Sequence, residues 1–170
     1  MIHYNWLAIF PAGLIPLLVG FIYYNPKVLG NASMNASGLT EERMKGANMV
    51  KVLGFTLVFG LMLSVFIMPI VLHALHLFSL VATPGGGPPD PNGPGMQDAM
   101  AYFGKYGGNF LTFKHGAFHG IIAALFGIWP TLGIVSLFER RGWKYTAIHL
   151  GYWVITFALM GGVICAYGVK

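Results

Sequence analysis

The stretch GIIAALFGIWPTLGIVSLF, residues 120–138, contains nineteen residues and not one Asp, Glu, Lys, Arg or His. A hydrocarbon core about 30 Å thick requires roughly 20 consecutive apolar residues in a helix, so this stretch is long enough to cross a membrane once. Three further windows, residues 5–24, 52–72 and 150–169, also lack these residue types. The sequence therefore predicts four membrane-spanning helices.

The composition excludes an ordinary soluble domain. Of the 170 residues, 56% are hydrophobic and 9% are charged, with a mean hydropathy of +0.67, whereas soluble domains carry about 25% charged residues. We expect an all-α fold, an integral membrane four-helix bundle of two hairpins whose ends lie outside and whose turns lie inside. The predicted single domain, residues 1–170, has spans near 5–24, 52–76, 116–138 and 147–168 and a Pro/Gly-rich outer loop at 83–95.

Prolines and small residues give two expectations about helix shape and packing. Pro11 and Pro16 interrupt the hydrogen-bond ladder of the first span, which we expect to be kinked. Small residues recur every four positions in the third and fourth spans, and in lipid such ridges allow close backbone approach. The residues predicted to pack these two spans together are Gly116, Gly120, Ala124, Ala158, Gly162 and Ala166.

The basic residues predict the orientation. Lys and Arg concentrate on the inner side of membranes, so both chain ends are expected outside. The net charge of +5 does not indicate nucleic-acid binding, because the basic residues are scattered at membrane edges and form no single stripe. Membrane lipids with anionic head groups are the expected partners. The seven basic residues of the first and third connections are Lys27, Arg43, Lys45, Lys51, Arg140, Arg141 and Lys144, against Lys105, Lys114 and Lys170 on the opposite side.

Five of the six histidines, His3 among them, fall on the predicted outer side, although histidine was not used to assign the orientation. His115 and His119 are four residues apart, so both rings lie on one helix face. The same applies to His73 and His76, which are three residues apart. Two facing pairs would supply four nitrogen ligands, and imidazole suits Zn, Cu, Ni and haem iron. The alternative is that these rings are amphipathic interfacial side chains that hydrogen-bond to loop carbonyls.

The sequence contains no recognisable set of catalytic residues. HGAFH, residues 115–119, lacks the glutamate of the HExxH metalloprotease pattern, and no span contains a carboxylate. No Ser-His-Asp set, phosphate loop or dinucleotide fingerprint is present. His149, on the inner side, is expected to pair with Glu139 in a solvated charge cluster. We expect a protein that is not an enzyme, and the sequence requires no cofactor.

Three functions remain open on these grounds. The first is a non-enzymatic bundle that self-associates as a homo-oligomer or accompanies a larger membrane complex, which the small-residue ridges favour. The second is a small transporter or channel that uses the kinked first helix and an outer histidine-lined entrance. The third is a metal- or haem-binding electron-transfer subunit.

Several segments, taken in order, resemble one known family. They are NWLAIF at 5–10, GFIYYNPKVLG at 20–30, KHGAFHG at 114–120, LFERRGWKY at 137–145 and HLGYWVITFALMGG at 149–162. These segments resemble the small bacterial membrane proteins grouped as domain of unknown function 1761. The resemblance covers nearly the whole chain except residues 83–95, and it implies a four-span bundle in a bacterial inner membrane. It implies no activity, because none is assigned to the family.

Overall fold

The computed structural model describes residues 5–81, 87 and 89–169. His3 and part of the predicted Pro/Gly-rich loop, residues 83–86 and 88, lie outside the described residues. A 3-10 turn, Trp6–Ala8, leads into the first helix, and π-helical turns lie at Pro26–Gly30 and Ala124–Ile128. The described α-helices are α1 Ile9–Tyr23, α2 Asn31–Ser37, α3 Glu41–Lys45, α4 Met49–Val71, α5 Ala74–Leu80, α6 Pro94–Tyr106, α7 Phe113–Ala123, α8 Trp129–Phe138 and α9 Trp143–Tyr167.

Four helices in the described part of the chain are long and apolar enough to cross a membrane. They comprise Trp6–Tyr23, Met49–Val71, Phe113–Phe138 and Trp143–Tyr167, with 18, 23, 26 and 25 residues. The predicted all-α four-helix fold is confirmed. Large apolar side chains cover the outer surface, and Phe21 and Phe126 are 83% and 79% exposed. Such a surface is a liability in water and suits contact with lipid tails.

The third span contains a proline but remains one continuous helix. It consists of α7, the π turn Ala124–Ile128 and α8. Pro130 lies at the start of α8, directly after the π turn. Because proline cannot donate a backbone hydrogen bond, the wider turn accommodates the missing bond without ending the helix.

The last helix lies at the centre of the fold, because α9 contacts α1, α4 and α7. Phe157 and Met160 of α9 are fully buried in one apolar cluster with Ile67 of α4. The hydroxyl of Tyr152 donates a hydrogen bond to the carbonyl of Pro16 over 2.9 Å. A side chain of α9 thus bonds to the backbone of α1 in the apolar interior of the fold, where lipid offers no donor.

Glycines allow α7 and α9 to approach through their backbones. A Cβ atom at Gly116 would collide with the carbonyl of Gly161, and one at Gly120 would collide with the carbonyl of Phe157. A Cβ built on Gly120 would also lie 3.0 Å from the backbone nitrogen of Ala158. Close approach between small residues is a main source of helix association in lipid.

The remaining residues predicted for this contact take different places. Ala124 is fully buried, and Ala166 is half-buried. Gly162 lies beneath the ring of Phe113, which comes within 2.5 Å of a Cβ built on that glycine. On α9, the backbone groups that meet the two glycines of α7 most closely therefore belong to Phe157 and Gly161. The sequence predicted Ala158 and Gly162 for this contact, and in the structure the residue just before each of them makes it.

The two ends of the fold differ in their side chains. At one end the backbone N–H of Asn5 donates to the carbonyl of Gly168 over 2.9 Å, and Cys165 Sγ lies 3.6 Å from the carbonyl oxygen of Val71. We call this the histidine end, because α4 ends there and α7, which carries His115 and His119, begins there. At the opposite end, the basic end, the hydroxyl of Tyr23 donates to the carbonyl of Ile148 and Arg141 bonds to the carbonyl of Ser37.

Candidate metal centre

Three histidines from two parts of the chain come together at the histidine end. One ring nitrogen from each of His73, His115 and His119 lies within 4.8 Å of the others. The ring centroids are 4.5 Å apart for His115 and His119, 4.8 Å for His73 and His119, and 5.4 Å for His73 and His115. All three pairs meet edge to face. We call these residues the histidine triad.

The start of α7 presents two members of the triad. Thr112 caps the helix, and its hydroxyl accepts a hydrogen bond from the backbone nitrogen of His115 over 3.2 Å. This cap satisfies one of the backbone donors that the first turn of a helix leaves unpaired. His115 and His119 then follow at a spacing of four residues, so their side chains lie one above the other, as the sequence predicts.

A break between α4 and α5 presents the third member. Leu72 ends α4 in a non-helical conformation, three residues after Pro69, and His73 is the N-cap residue of α5. The chain therefore changes direction at His73 instead of continuing along α4. The predicted second span, residues 52–76, did not include this break. Because of it, His73 lies against α7.

The fourth predicted ligand is not part of this group. His76 is exposed in the first turn of α5, and its backbone nitrogen donates to the carbonyl of His73 over 3.1 Å. The sequence predicted two histidine pairs facing each other. In the structure, the pair on α7 meets only the ring of His73. The reason is that α5 is a short separate helix, and only its N-cap residue reaches the pair.

Aromatic rings contact the triad from the side. The ring of Phe110 stacks on His115 with centroids 5.1 Å apart and planes 29° apart, and Phe118 meets His119 edge to face at 5.7 Å. Phe110 has a backbone φ of 65°. A bulky residue in this region is strained, and such strain persists only where the surrounding structure holds it. The strained turn places the Phe110 ring over His115.

A cavity of about 270 Å³ adjoins the triad. His73 and His115 line it on one side, and its other walls come mainly from α5, α6 and the turn before α7. This volume is large enough to admit several waters or a small solute. It is open toward the outside of the fold, so a solute can reach two of the three imidazoles.

The donor set of the triad is neutral. No Asp, Glu or Cys joins it among the residues that the structure describes. Imidazole ligands suit Zn, Cu and Ni, whereas Mg and Ca require oxygen ligands. An ion held by three imidazoles would also keep its full positive charge, because no carboxylate neutralises it.

A second polar cluster lies at the basic end and was not predicted. His149 Nδ1 and the hydroxyl of Tyr24 share a hydrogen bond of 2.7 Å, and the ring of Tyr145 meets His149 edge to face at 4.3 Å. The expected pair between His149 and Glu139 is not what the structure shows. Glu139 pairs instead with Arg141, over 3.2 Å. The only sequence signal for this cluster is the spacing of four residues between Tyr145 and His149, since Tyr24 is 125 positions away from His149.

Burial affects the phenol of this cluster. Tyr24 lies just after the first span, with the rings of Tyr23 and Tyr152 at centroid distances of 5.3 Å and 5.1 Å. Loss of solvation on burial, with smaller contributions from the neighbouring phenols, raises the pKa of Tyr24 well above its ordinary value of 10.0. The hydroxyl therefore stays protonated at neutral pH and shares a proton with His149.

Comparison with known proteins identifies a family without an activity. A family model described as "Protein of unknown function (DUF1761)" matches residues 7–165, a range that includes nearly all of the four long apolar helices. No curated protein and no solved structure matches the chain. The arrangement of the histidine triad is therefore the basis for assigning a function.

Proposed function

The chain belongs to the DUF1761 family of proteins of unknown function, and from that premise we propose that it is a multi-pass membrane protein that binds a divalent transition metal through the histidine triad. The single observation that carries the proposal is the convergence of His73 with His115 and His119. Their ring nitrogens come within 4.8 Å of one another although His73 is more than 40 positions away in the chain.

The distances suit a metal site that closes on its ion. Zinc–nitrogen bonds of about 2.0–2.1 Å in a tetrahedron place the ligand nitrogens about 3.3–3.4 Å apart. The triad nitrogens lie within 4.8 Å of one another, so a tightening on the order of 1 Å completes the site. Rotation about the side-chain bonds of His73, which is exposed, supplies such a movement. Three protein ligands leave the fourth position to water or another small ligand.

The same geometry disfavours haem. A haem requires an open, flat space beside each imidazole that ligates it, and the three rings of the triad contact one another edge to face. The cavity beside them reaches only two of the rings. Between the two alternatives in the sequence-based hypothesis, metal or haem, the arrangement therefore favours a single metal ion.

The test uses the protein purified into lipid nanodiscs and stripped of metal. Zn²⁺ binding is measured by isothermal titration and by elemental analysis, for the parent chain and for His119→Ala. Loss of a group that hydrogen-bonds to a metal ligand costs about 10–100-fold in metal affinity, so loss of a direct ligand is expected to cost more than about 100-fold.

His76→Ala is the matched control, because it removes an imidazole at the same end of the fold but outside the triad. Its affinity is expected to match that of the parent chain. A folded parent chain that takes up no Zn²⁺, Cu²⁺ or Ni²⁺ would end the proposal. Equal losses in His76→Ala and His119→Ala would show that binding is non-specific.

The orientation is a further part of the proposal. We place both chain ends and the histidine end outside a bacterial inner membrane, because the first and third connections, at the basic end, carry most of the Lys and Arg. The test introduces Asn92→Cys or Lys144→Cys, one at a time, into a Cys165→Ser background and labels each variant in intact cells. Only the cysteine at position 92 is expected to react with an impermeant maleimide. Reaction at both positions would contradict the topology.

A second candidate is a non-enzymatic role in which the chain self-associates or accompanies another membrane complex. The small residues of α7 already pack against α9 of the same chain, so they are not free to bind a second copy. The support for self-association comes instead from α4. There, Gly54 has no heavy atom within 4 Å of an added Cβ, and Val50 and Val58, one turn to either side, are 82% and 51% exposed. This strip permits close approach of a second helix. Cross-linking in native membranes that recovers only monomer would count against it.

A further inference from the structure

The cavity beside the triad shares two of its walls with the proposed metal site. His73 and His115 belong to both. A ligand in the cavity would therefore lie next to the coordination position that three histidines leave open. A position of this kind is a feature of catalytic and ligand-binding zinc sites, whereas structural sites are closed by four protein ligands.

Aromatic and aliphatic side chains form most of the rest of the lining. Tyr102, Phe103 and Tyr106 come from α6, and Phe110 comes from the turn before α7. Asn109 provides an amide at the same turn. Ligand pockets in general combine apolar and aromatic walls with a few polar groups that fix orientation. Walls built of rings favour a planar, aromatic ligand, because offset and edge-to-face contacts between rings add to the burial of apolar area.

The charge of the metal ion determines whether the ligand would bind through an anionic or a neutral donor atom. Three neutral imidazoles leave a divalent ion with both of its positive charges, and no carboxylate belongs to the described group. An anionic ligand is therefore favoured at the open position. Coordination lowers the pKa of a bound hydroxyl group strongly, as it does for metal-bound water. A phenolic hydroxyl then binds as phenolate.

We infer that the cavity binds a small hydroxyaromatic molecule, a phenol or a hydroquinone head group, whose oxygen occupies the open position of the metal. This inference rests on the proposed function. Binding would replace the water at the open position: the metal–water bond and the O–H bond of the ligand break, a metal–oxygen bond to the ligand forms, and the water and the proton pass to solvent, so no electron is transferred. The location at one end of the spans suits such a molecule, because amphipathic aromatic rings concentrate at membrane interfaces.

The experiment uses Co²⁺-loaded protein in nanodiscs, with 4-nitrophenol as the probe. Co²⁺ reports its coordination in the visible spectrum, and 4-nitrophenol reports loss of its proton through its phenolate absorption. At a pH below the ordinary pKa of the probe, we expect saturable formation of the phenolate band together with a change in the Co²⁺ spectrum. Metal-free protein is expected to give neither signal.

Two tyrosine variants separate cavity binding from metal binding. Tyr106→Ala removes an aromatic wall and is expected to weaken 4-nitrophenol binding about tenfold, while Co²⁺ affinity changes by less than about twofold. Tyr167→Ala is the control, since Tyr167 is an exposed tyrosine at the histidine end that does not line the cavity. It is expected to leave both affinities unchanged.

The remaining outcomes have separate meanings. Tight Co²⁺ binding without a phenolate band overturns the inference and leaves the proposed function intact. Equal probe binding with and without Co²⁺, or equal effects of the two tyrosine variants, also overturns it. Absence of Co²⁺ binding in a folded parent chain overturns the inference, and it removes the proposed function as well when Zn²⁺, Cu²⁺ and Ni²⁺ are not taken up either.

Discussion

Replacement of Gly120 by alanine is expected to push α7 away from α9 and to destabilise the fold. A Cβ at this position lies 2.6 Å from the carbonyl carbon of Phe157, where ordinary van der Waals contact begins at 3.4 Å. The carbonyl oxygen of Phe157 lies closer still, and because backbone cannot rotate aside, the helices must separate locally by at least about 0.8 Å. A gap of 0.5–1 Å forfeits about a quarter to a half of each dispersion contact that it opens. Overpacking of this kind costs about 1–3 kcal/mol.

The intrinsic helix preference of alanine opposes this cost by at most about 1 kcal/mol. With a net loss on the order of 1–2 kcal/mol, the thermal midpoint is expected to fall by about 2–8 °C, on the scale of about 2–4 °C per kcal/mol for chains of this length. The assay is thermal unfolding in nanodiscs, followed by circular dichroism. Because His119 precedes Gly120, Co²⁺ affinity is expected to fall as well.

Gly133→Ala is the matched control for this prediction. Gly133 lies in α8 of the same span, and no heavy atom comes within 4 Å of a Cβ built on it. Alanine at this position is expected to leave the midpoint unchanged or to raise it slightly. If Gly120→Ala melted at or above the temperature of the parent chain, as Gly133→Ala should, the argument from backbone contact between α7 and α9 would be refuted.

Three further predictions concern single hydrogen-bonding groups. Tyr152→Phe removes the donor to the carbonyl of Pro16 and is expected to cost about 0.6–1.7 kcal/mol, measured by unfolding in mixed micelles; no change would mean that the carbonyl has another donor. Thr112→Ala removes the cap of α7, with a loss of about 1 kcal/mol. Its Zn²⁺ affinity is expected to fall because the first turn positions His115, and Thr112→Ser is expected to restore both. Tyr24 has a raised pKa in the fold, so the unfolded state loses its proton first and stability falls as the pH rises above about 10. The unfolding midpoint of the parent chain is therefore expected to fall more between about pH 9 and about pH 11 than that of Tyr24→Phe, and parallel curves would contradict this.

The spans could be predicted from the sequence because the thickness of a bilayer sets the length of an apolar window. Residues 120–138 show this directly, since they form most of the helix Phe113–Phe138. The central place of α9 could not be predicted, because all four windows are similarly apolar and their packing depends on surface shape. The pairing of Gly120 with Phe157, in place of Ala158, is set by the same surface detail.

The candidate site was only partly predictable, for a related reason. The spacing of His115 and His119 fixes their common face, since both belong to one regular helix. The place of His73 depends on the end of α4 at Val71, which the prediction of a span through residue 76 did not include. The bond between Tyr24 and His149 joins residues 125 positions apart, and no local pattern encodes such a distance.

The central position of α9 has a consequence for biogenesis. Among the four long helices it is the last to leave the ribosome, yet the other three all pack against it. Until it is inserted, the earlier helices can reside in the bilayer individually, as helices in lipid do before they associate. The glycine face of α7 then lacks the α9 backbone against which it packs. Assembly of the site is thus coupled to insertion of α9, the last of the four long helices along the described chain.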